Sequence, residues 1–245
     1  MCGRYELHTH PAVIALAFGL DRTPDVHARY NIAPMTEVPV IRANAEGRRE
    51  LTRMRWGLVP RWAKDPSIGA KMINARGETL AEKPSFRTAY RRHRCLLPAD
   101  GFYEWREVNV PHPHKEPLHI GMKDGSVFAL AGLYERWLSA EGEVLDSCTI
   151  VTTEANALIR ALHDRMPLIV APENYGRWLD PASPSVAELI VPYPADAMAW
   201  YPVSTRVNAV KNDDETLLRP VGAAHAAAPP PDTRPPHDPE QESLF

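Results

Sequence analysis

A chain of 245 residues, 44% hydrophobic and 24% charged, is long enough to bury at least one full core. No apolar run approaches spanning length and no basic-then-apolar leader is visible, which excludes a helical membrane protein and a conventional secreted one. Net charge is −3, yet residues 48–94 hold thirteen Lys/Arg against four Asp/Glu, a basic block of the kind that meets a polyanion.

In chain order, "HPAVIALAFGL" carries Pro11 at its start and Gly19 at its end and reads as a short helix. "YNIAP" reads as a loop, and residues 38–58 as two strands around an Asn-Ala-Glu-Gly turn. A helix is expected over 83–93, then one strand over 95–105, with further strands at 118–122, 127–137 and 144–153. "TTEANALIRALH" gives the clearest helix signal: Thr153 can cap it, and Ala155, Leu158, Ile159 and Leu162 form an apolar stripe. A strand at 168–171, short helices at 172–179 and 183–190, a strand at 198–203 and a loop over 204–215 complete the pattern. Strands dominate and come as neighbours. This predicts an α+β domain over 1–221, a curved, mainly antiparallel sheet or barrel with flanking helices. From Gly222 the chain holds six of its 25 prolines, so 222–245 reads as a disordered tail.

Three cysteines, Cys2, Cys95 and Cys148, stand far apart without CxxC or zinc-like spacing. That fits a reducing cytoplasm, with no metal or other cofactor expected. Loss of Met1 would leave Cys2 as a 1,2-aminothiol, two nucleophiles on adjacent carbons; the bland alternative is an incidental cysteine. Glu104 lies in "GFYEW" on one face with Phe102, where a poorly solvated carboxylate suits general acid–base work; an edge-strand glutamate facing water is the alternative. His163 falls at the expected helix C-terminus, where an imidazole donates a proton, stabilises negative charge or simply caps carbonyls. Asn74 and Arg76, in "INARGET", suit a sugar hydroxyl and a phosphate, or a polar turn. The basic block also holds Trp56, Trp62, Phe86 and Tyr90, a mixture that suits stacked bases and paired phosphates as well as a plain solvated face.

The combination is more specific than its parts. "MCGRY", "YNIAP", "MRWGLVPRW", "INARGET", "ADGFYEW", "HDRMPLIV" and "VSTRVNAVKND" follow the order and approximate spacing of the SOS-response-associated peptidase (SRAP) family, and the chain resembles its bacterial abasic-site processing branch over about residues 2–221. The resemblance implies action on abasic sites in single-stranded DNA, with Cys2 joined covalently to the ring-opened sugar in a thiazolidine. By similarity Asn74, Glu104 and His163 complete the catalytic set, and Arg4, Trp62, Arg76 and Arg165 contact DNA. The family name also implies a peptidase activity, one use of which is removal of Met1; a monomer with no cofactor is expected. Rival readings are an N-terminal-nucleophile amidohydrolase, whose α-amine serves as a base, and a non-catalytic single-strand DNA binder. The last residues, "QESLF", resemble the peptide by which replication and repair proteins bind the β sliding clamp, with Gln241, Leu244 and Phe245 as its contacts. That reading places the protein in the cytoplasm at replication forks.

Overall fold

The computed structural model describes residues 2–109, 112–183 and 186–221, together with the backbone of 225–226. The first half of the chain forms β1 (Tyr5–Leu7), α1 (Pro11–Phe18), β2 (Arg29–Ile32), β3 (Glu37–Ala43), β4 (Arg49–Trp56), β5 (Asn74–Arg76), α2 (Arg87–Arg92) and β6 (Arg94–Ala99). The second half forms β7 (Gly101–Val108), β8 (His114–Met122), β9 (Phe128–Leu138), β10 (Val144–Glu154), β11 (Arg165–Pro167), β12 (Ile169–Val170), α3 (Tyr175–Leu179), β13 (Met198–Pro202) and β14 (His225–Ala226).

Five of these strands close on one another. β4 pairs with β3, β3 with β6, β6 with β9, β9 with β10, and β10 returns to β4. A closed sheet has no free edge along its ring and encloses its own core. A second sheet, ordered β14-β13-β8-β7-β1-β2, packs beside the barrel. Pairing is antiparallel throughout except where β10 meets β4 and β5. The expected α+β domain with a curved, mainly antiparallel barrel is therefore present, its helices short and peripheral.

Local chemistry explains the elements. Pro11 opens α1 and Gly19 ends it in the left-handed region (φ 62°), its N–H turned back on Ala15 and Leu16. In the 38–58 hairpin Val38, Val40, Ile41 and Met54 are buried, and Trp56 sits edge-on to Tyr5 at 5.4 Å between centroids. Gly57, the glycine of "MRWGL", has φ 137°, and a Cβ there would lie 2.8 Å from the carbonyl oxygen of Gly69. Only glycine fits that crossing.

Several expectations are corrected. Residues 152–163 are not a helix: β10 runs on through Glu154, and 157–162 form isolated turns. The β-branched Thr152 and Thr153 extend the strand. Asn156 then competes with the backbone, its Oδ1 accepting from the Ile159 N–H at 3.0 Å. The apolar stripe is real as burial, with Ala155, Leu158 and Ile159 buried, but it lines a turn. Thr153 caps nothing there, and His163 stands at no helix terminus. "YNIAP" begins in strand β2, "INARGET" opens with strand β5, and residues 95–105 belong to two strands that meet at Asp100. Among the described residues of 183–190 the structure has a 3₁₀ turn, Ala187–Leu189. The proposed tail begins one residue after Val221; His225–Ala226 pair with β13, while Gln241, Leu244 and Phe245 lie outside the described residues.

The 204–215 segment is irregular but held. Fully buried Asn31 on β2 donates from Nδ2 to the carbonyl oxygens of Val207 (3.2 Å), Ala209 (3.2 Å) and Asn212 (2.7 Å) and accepts from Arg4 at 2.6 Å. Removing that amide takes a donor from three carbonyls at once and leaves Arg4 without its side-chain acceptor on β2. Asn31→Ala is expected to lower unfolding stability by about 2 kcal/mol, read from the midpoint shift in urea at unchanged slope.

Candidate active site

Cys2 is fully buried in the main core cluster, just ahead of β1. Two strands bring it partners. β5 runs parallel to β10, Asn74 opposite Ile150, and the Asn74 side chain donates from Nδ2 to the Cys2 carbonyl oxygen at 2.8 Å. Asn74 Oδ1 is buried and accepts no hydrogen bond. Among the described residues it is an acceptor without a donor, as a substrate hydroxyl would require.

β7 supplies the carboxylate. It lies between β1 and β8, so Glu104 is on an interior strand and buried, which settles its alternation against the edge-strand alternative. Tyr5 pairs with Phe102, and the Tyr103 N–H donates to the Arg4 carbonyl oxygen at 2.9 Å. Continuing that ladder sets Gly3 opposite Glu104. Burial pushes the Cys2 thiol well above its ordinary range, and the negative charge of Glu104 pushes it further. The resting sulfur is a neutral thiol with a carboxylate at hand.

His163 occupies the turn entering β11. Its Nδ1 lies 2.9 Å from the Arg165 N–H and 2.8 Å from Asp164 Oδ1. The neutral ring accepts from the first, and the charged ring donates to the second. Either way the ring is oriented by its own turn and half-buried.

The four expected DNA contacts differ in character. Trp62 is 58% exposed, above a depression of about 250 Å³ lined with Lys64 and Lys71. Arg76 is exposed at the end of β5. Arg165 is mostly covered: its guanidinium grips Glu78 through two bonds, at 2.7 and 2.9 Å, and reaches the Thr152 carbonyl oxygen at 2.8 Å. Glu78 is held below the usual carboxylate range, chiefly by that bond. Arg4 bonds Asn31 and the Val207 carbonyl oxygen and lies 5.8 Å over the Trp105 ring. Sequence reasoning passed over Asn31 and Glu78, although both fall inside quoted motifs.

The basic block is not one stacking face. Trp56 is core, its indole N–H donating to the Ile73 carbonyl oxygen at 2.8 Å, and Phe86 and Tyr90 pack partly buried against the core. Arg94 is buried and caps backbone carbonyls of Trp178 and Tyr90. Trp62, Lys64, Lys71 and Arg76 stand exposed near these motifs, as does Arg61, whose guanidinium is bonded to Glu135 at 2.8 Å.

The family model described as SOS response associated peptidase (SRAP) matches residues 1–210. Abasic site processing protein YoqW of Bacillus subtilis is 44% identical over 224 residues, covering 89% of this chain and 99% of its own. Abasic site processing protein YedK of Escherichia coli is 32% identical over 235 residues, 90% of this chain and 100% of its own. Among solved structures, a protein from Bacteroides thetaiotaomicron superposes with a TM-score of 0.78 at 28% identity, over 89% of this chain and 99% of that one. With its barrel, its buried Cys2 and its string of motifs, the chain belongs to the SRAP family.

Proposed function

We propose that this protein processes abasic sites in single-stranded DNA by bonding to them covalently through Cys2 after Met1 has been removed. The observation that carries the reading is the seat of Cys2: its carbonyl is held by Asn74 and its thiol lies in the field of buried Glu104. The relatives named above are abasic site processing proteins, which supports an abasic site as the substrate. The peptidase activity in the family description is assigned to removal of Met1.

The chemistry follows from the aminothiol. A free α-amine has a pKa of about 7.7–8.0, so a useful fraction is unprotonated near neutrality, whereas the thiol is held neutral. The amine therefore leads. It adds to the C1′ aldehyde of the ring-opened deoxyribose, and loss of one water gives an imine. Sulfur then adds to the imine carbon; the C=N pair moves to nitrogen, which takes the thiol proton by way of Glu104. The product is a five-membered thiazolidine, and one water is lost overall. Both nucleophiles sit on one residue, so closure has an effective molarity of ~10⁵ M or more. Glu104 moves protons during sugar opening and imine formation, His163 protonates the departing oxygen, and Asn74 Oδ1 accepts from a sugar hydroxyl. Trp62 stacks an unpaired base, while Arg76 and the lysines beside Trp62 hold phosphates. Arg4 and Arg165 reach the backbone from fixed positions.

Cys2→Ser should abolish the denaturant-resistant adduct with an abasic oligonucleotide while leaving non-covalent affinity nearly intact. An adduct of undiminished yield and lifetime in that variant contradicts the thiazolidine. Glu104→Gln keeps the shape without the proton-accepting charge. Its single-turnover rate should fall by roughly 10², whereas an unchanged rate would leave Glu104 with a packing role only. The C-terminal Gln241, Leu244 and Phe245 are assigned to the β sliding clamp, with the proline-rich stretch as tether. Deleting 241–245 should remove clamp binding in a titration and leave crosslinking of a free oligonucleotide unchanged; equal clamp affinity with and without the pentapeptide refutes this assignment.

A further inference from the structure

Beyond the crosslinking residues, the far end of β1 carries a buried polar network. Glu6 is 1% exposed, with Oε1 3.1 Å from His119 Nε2 and Oε2 2.6 Å from His8 Nδ1. Asp100 Oδ2 accepts from the backbone N–H groups of His8 (2.6 Å) and Thr9 (2.7 Å), and its Oδ1 from the Thr9 hydroxyl. The network joins β1 to the β6–β7 corner and to β8.

His119 reaches Glu6 across an intervening strand, and the backbone is shaped for it. Glu6, Gly101 and Gly121 are in register on β1, β7 and β8. The two glycines leave a trench in which the imidazole lies. A Cβ on Gly101 would stand 2.1 Å from His119 Nε2, and one on Gly121 would stand 3.2 Å from Cε1. Tyr201 stacks on the ring at 4.8 Å and Tyr103 meets it edge-on at 5.6 Å. His119 is thus a fixed post, and Glu6 is moored to it.

Buried ion pairs are poor stabilisers, because desolvation offsets their attraction; their attested use is to fix register. β1 is three residues long and has little ladder of its own to do so. Burial alone would raise the Glu6 carboxyl, but the hydrogen bonds from His119 and His8 outweigh it and hold the group below its usual range. His8 is correspondingly held above its own, first by its bond to Glu6.

We propose that Glu6 is a positioning residue for Cys2: tied to His119 and His8, it locks the register of β1 on β7 and so holds Cys2 beside Glu104. The role rests on the crosslinking function of Cys2. A one-residue slip would turn every β1 side chain to the opposite face, and a two-residue slip would carry Cys2 about 6.6 Å away at ~3.3 Å per residue. A displacement of even about 1 Å at a reacting group costs about 10²-fold in rate.

The test compares single-turnover crosslinking at saturating abasic oligonucleotide with non-covalent Kd for an oligonucleotide bearing a tetrahydrofuran analogue, which has no aldehyde. Glu6→Leu should lose about tenfold or more in saturating rate at unchanged Kd. Glu6→Gln, which retains an acceptor for one histidine, should recover part of the loss. His119→Gln should fall between wild type and Glu6→Leu, and the Glu6→Leu/His119→Gln double variant should lose no more than Glu6→Leu alone. A folded Glu6→Leu protein with the wild-type rate overturns the positioning role. If Glu6→Leu does not fold, His119→Gln decides: a slower rate at constant Kd supports the role and an unchanged rate overturns it. No adduct from the wild-type protein overturns the crosslinking function itself, and this role with it.

Discussion

The pairing of β1 with β7 is the constraint on which the rest of the structure depends. Three residues of strand, Tyr5–Leu7, set the chain direction just after Cys2, and Gly101–Val108 carries Glu104. When Tyr5 stands opposite Phe102, Cys2 and Glu104 are brought to the same end of the ladder. The barrel supplies the third partner from another direction: β10 holds β5 in parallel, and β5 delivers Asn74 to the Cys2 carbonyl. Neither sheet makes the site alone. The Tyr5–Trp56 contact joins the two at that point, with Trp56 at the end of barrel strand β4.

The electrostatics divide labour within one residue. A buried thiol beside a carboxylate stays protonated, which would be a defect in an enzyme whose nucleophile is a free thiolate. It suits a two-step capture in which the amine attacks first and sulfur closes the ring afterwards. The surroundings are correspondingly still. Arg165 is clamped by Glu78 and Thr152, Arg4 by Asn31 and Val207, and Asn31 in turn holds the irregular 204–212 segment. Trp62 and Arg76 instead stand exposed at the surface.

Much of the site was legible in the sequence, because its residues lie in short motifs with few local interpretations. Cys2, Glu104 and Asn74 each stood out as candidates, but alternation left Glu104 buried or facing water, and only its place on interior strand β7 shows it buried. The helix expected before His163 was not there. A spacing of apolar residues at 155, 158, 159 and 162 reports burial on one side, and a sequence of turns satisfies it as well as a helix does. Trp56, Phe86 and Tyr90 failed as a stacking surface for a related reason: composition places them among arginines, but only the sheet decides which way each faces. Asn31 and Glu78 were missed because their partners lie 176 and 87 positions away. No local pattern announces such a contact. The Glu6–His119 pair, 113 positions apart, is of the same kind.

The central claim is a bond between the N-terminal residue and an abasic sugar, and intact-mass spectrometry of the reaction product tests it most directly. Incubated with a single-stranded abasic oligonucleotide, the protein should yield one species equal to the chain without Met1 plus the oligonucleotide less one water. Its proteolytic digest should place the added mass on the peptide beginning at Cys2. A product that retains Met1, an adduct mapped to an internal lysine or cysteine, or unmodified protein alone would contradict the account.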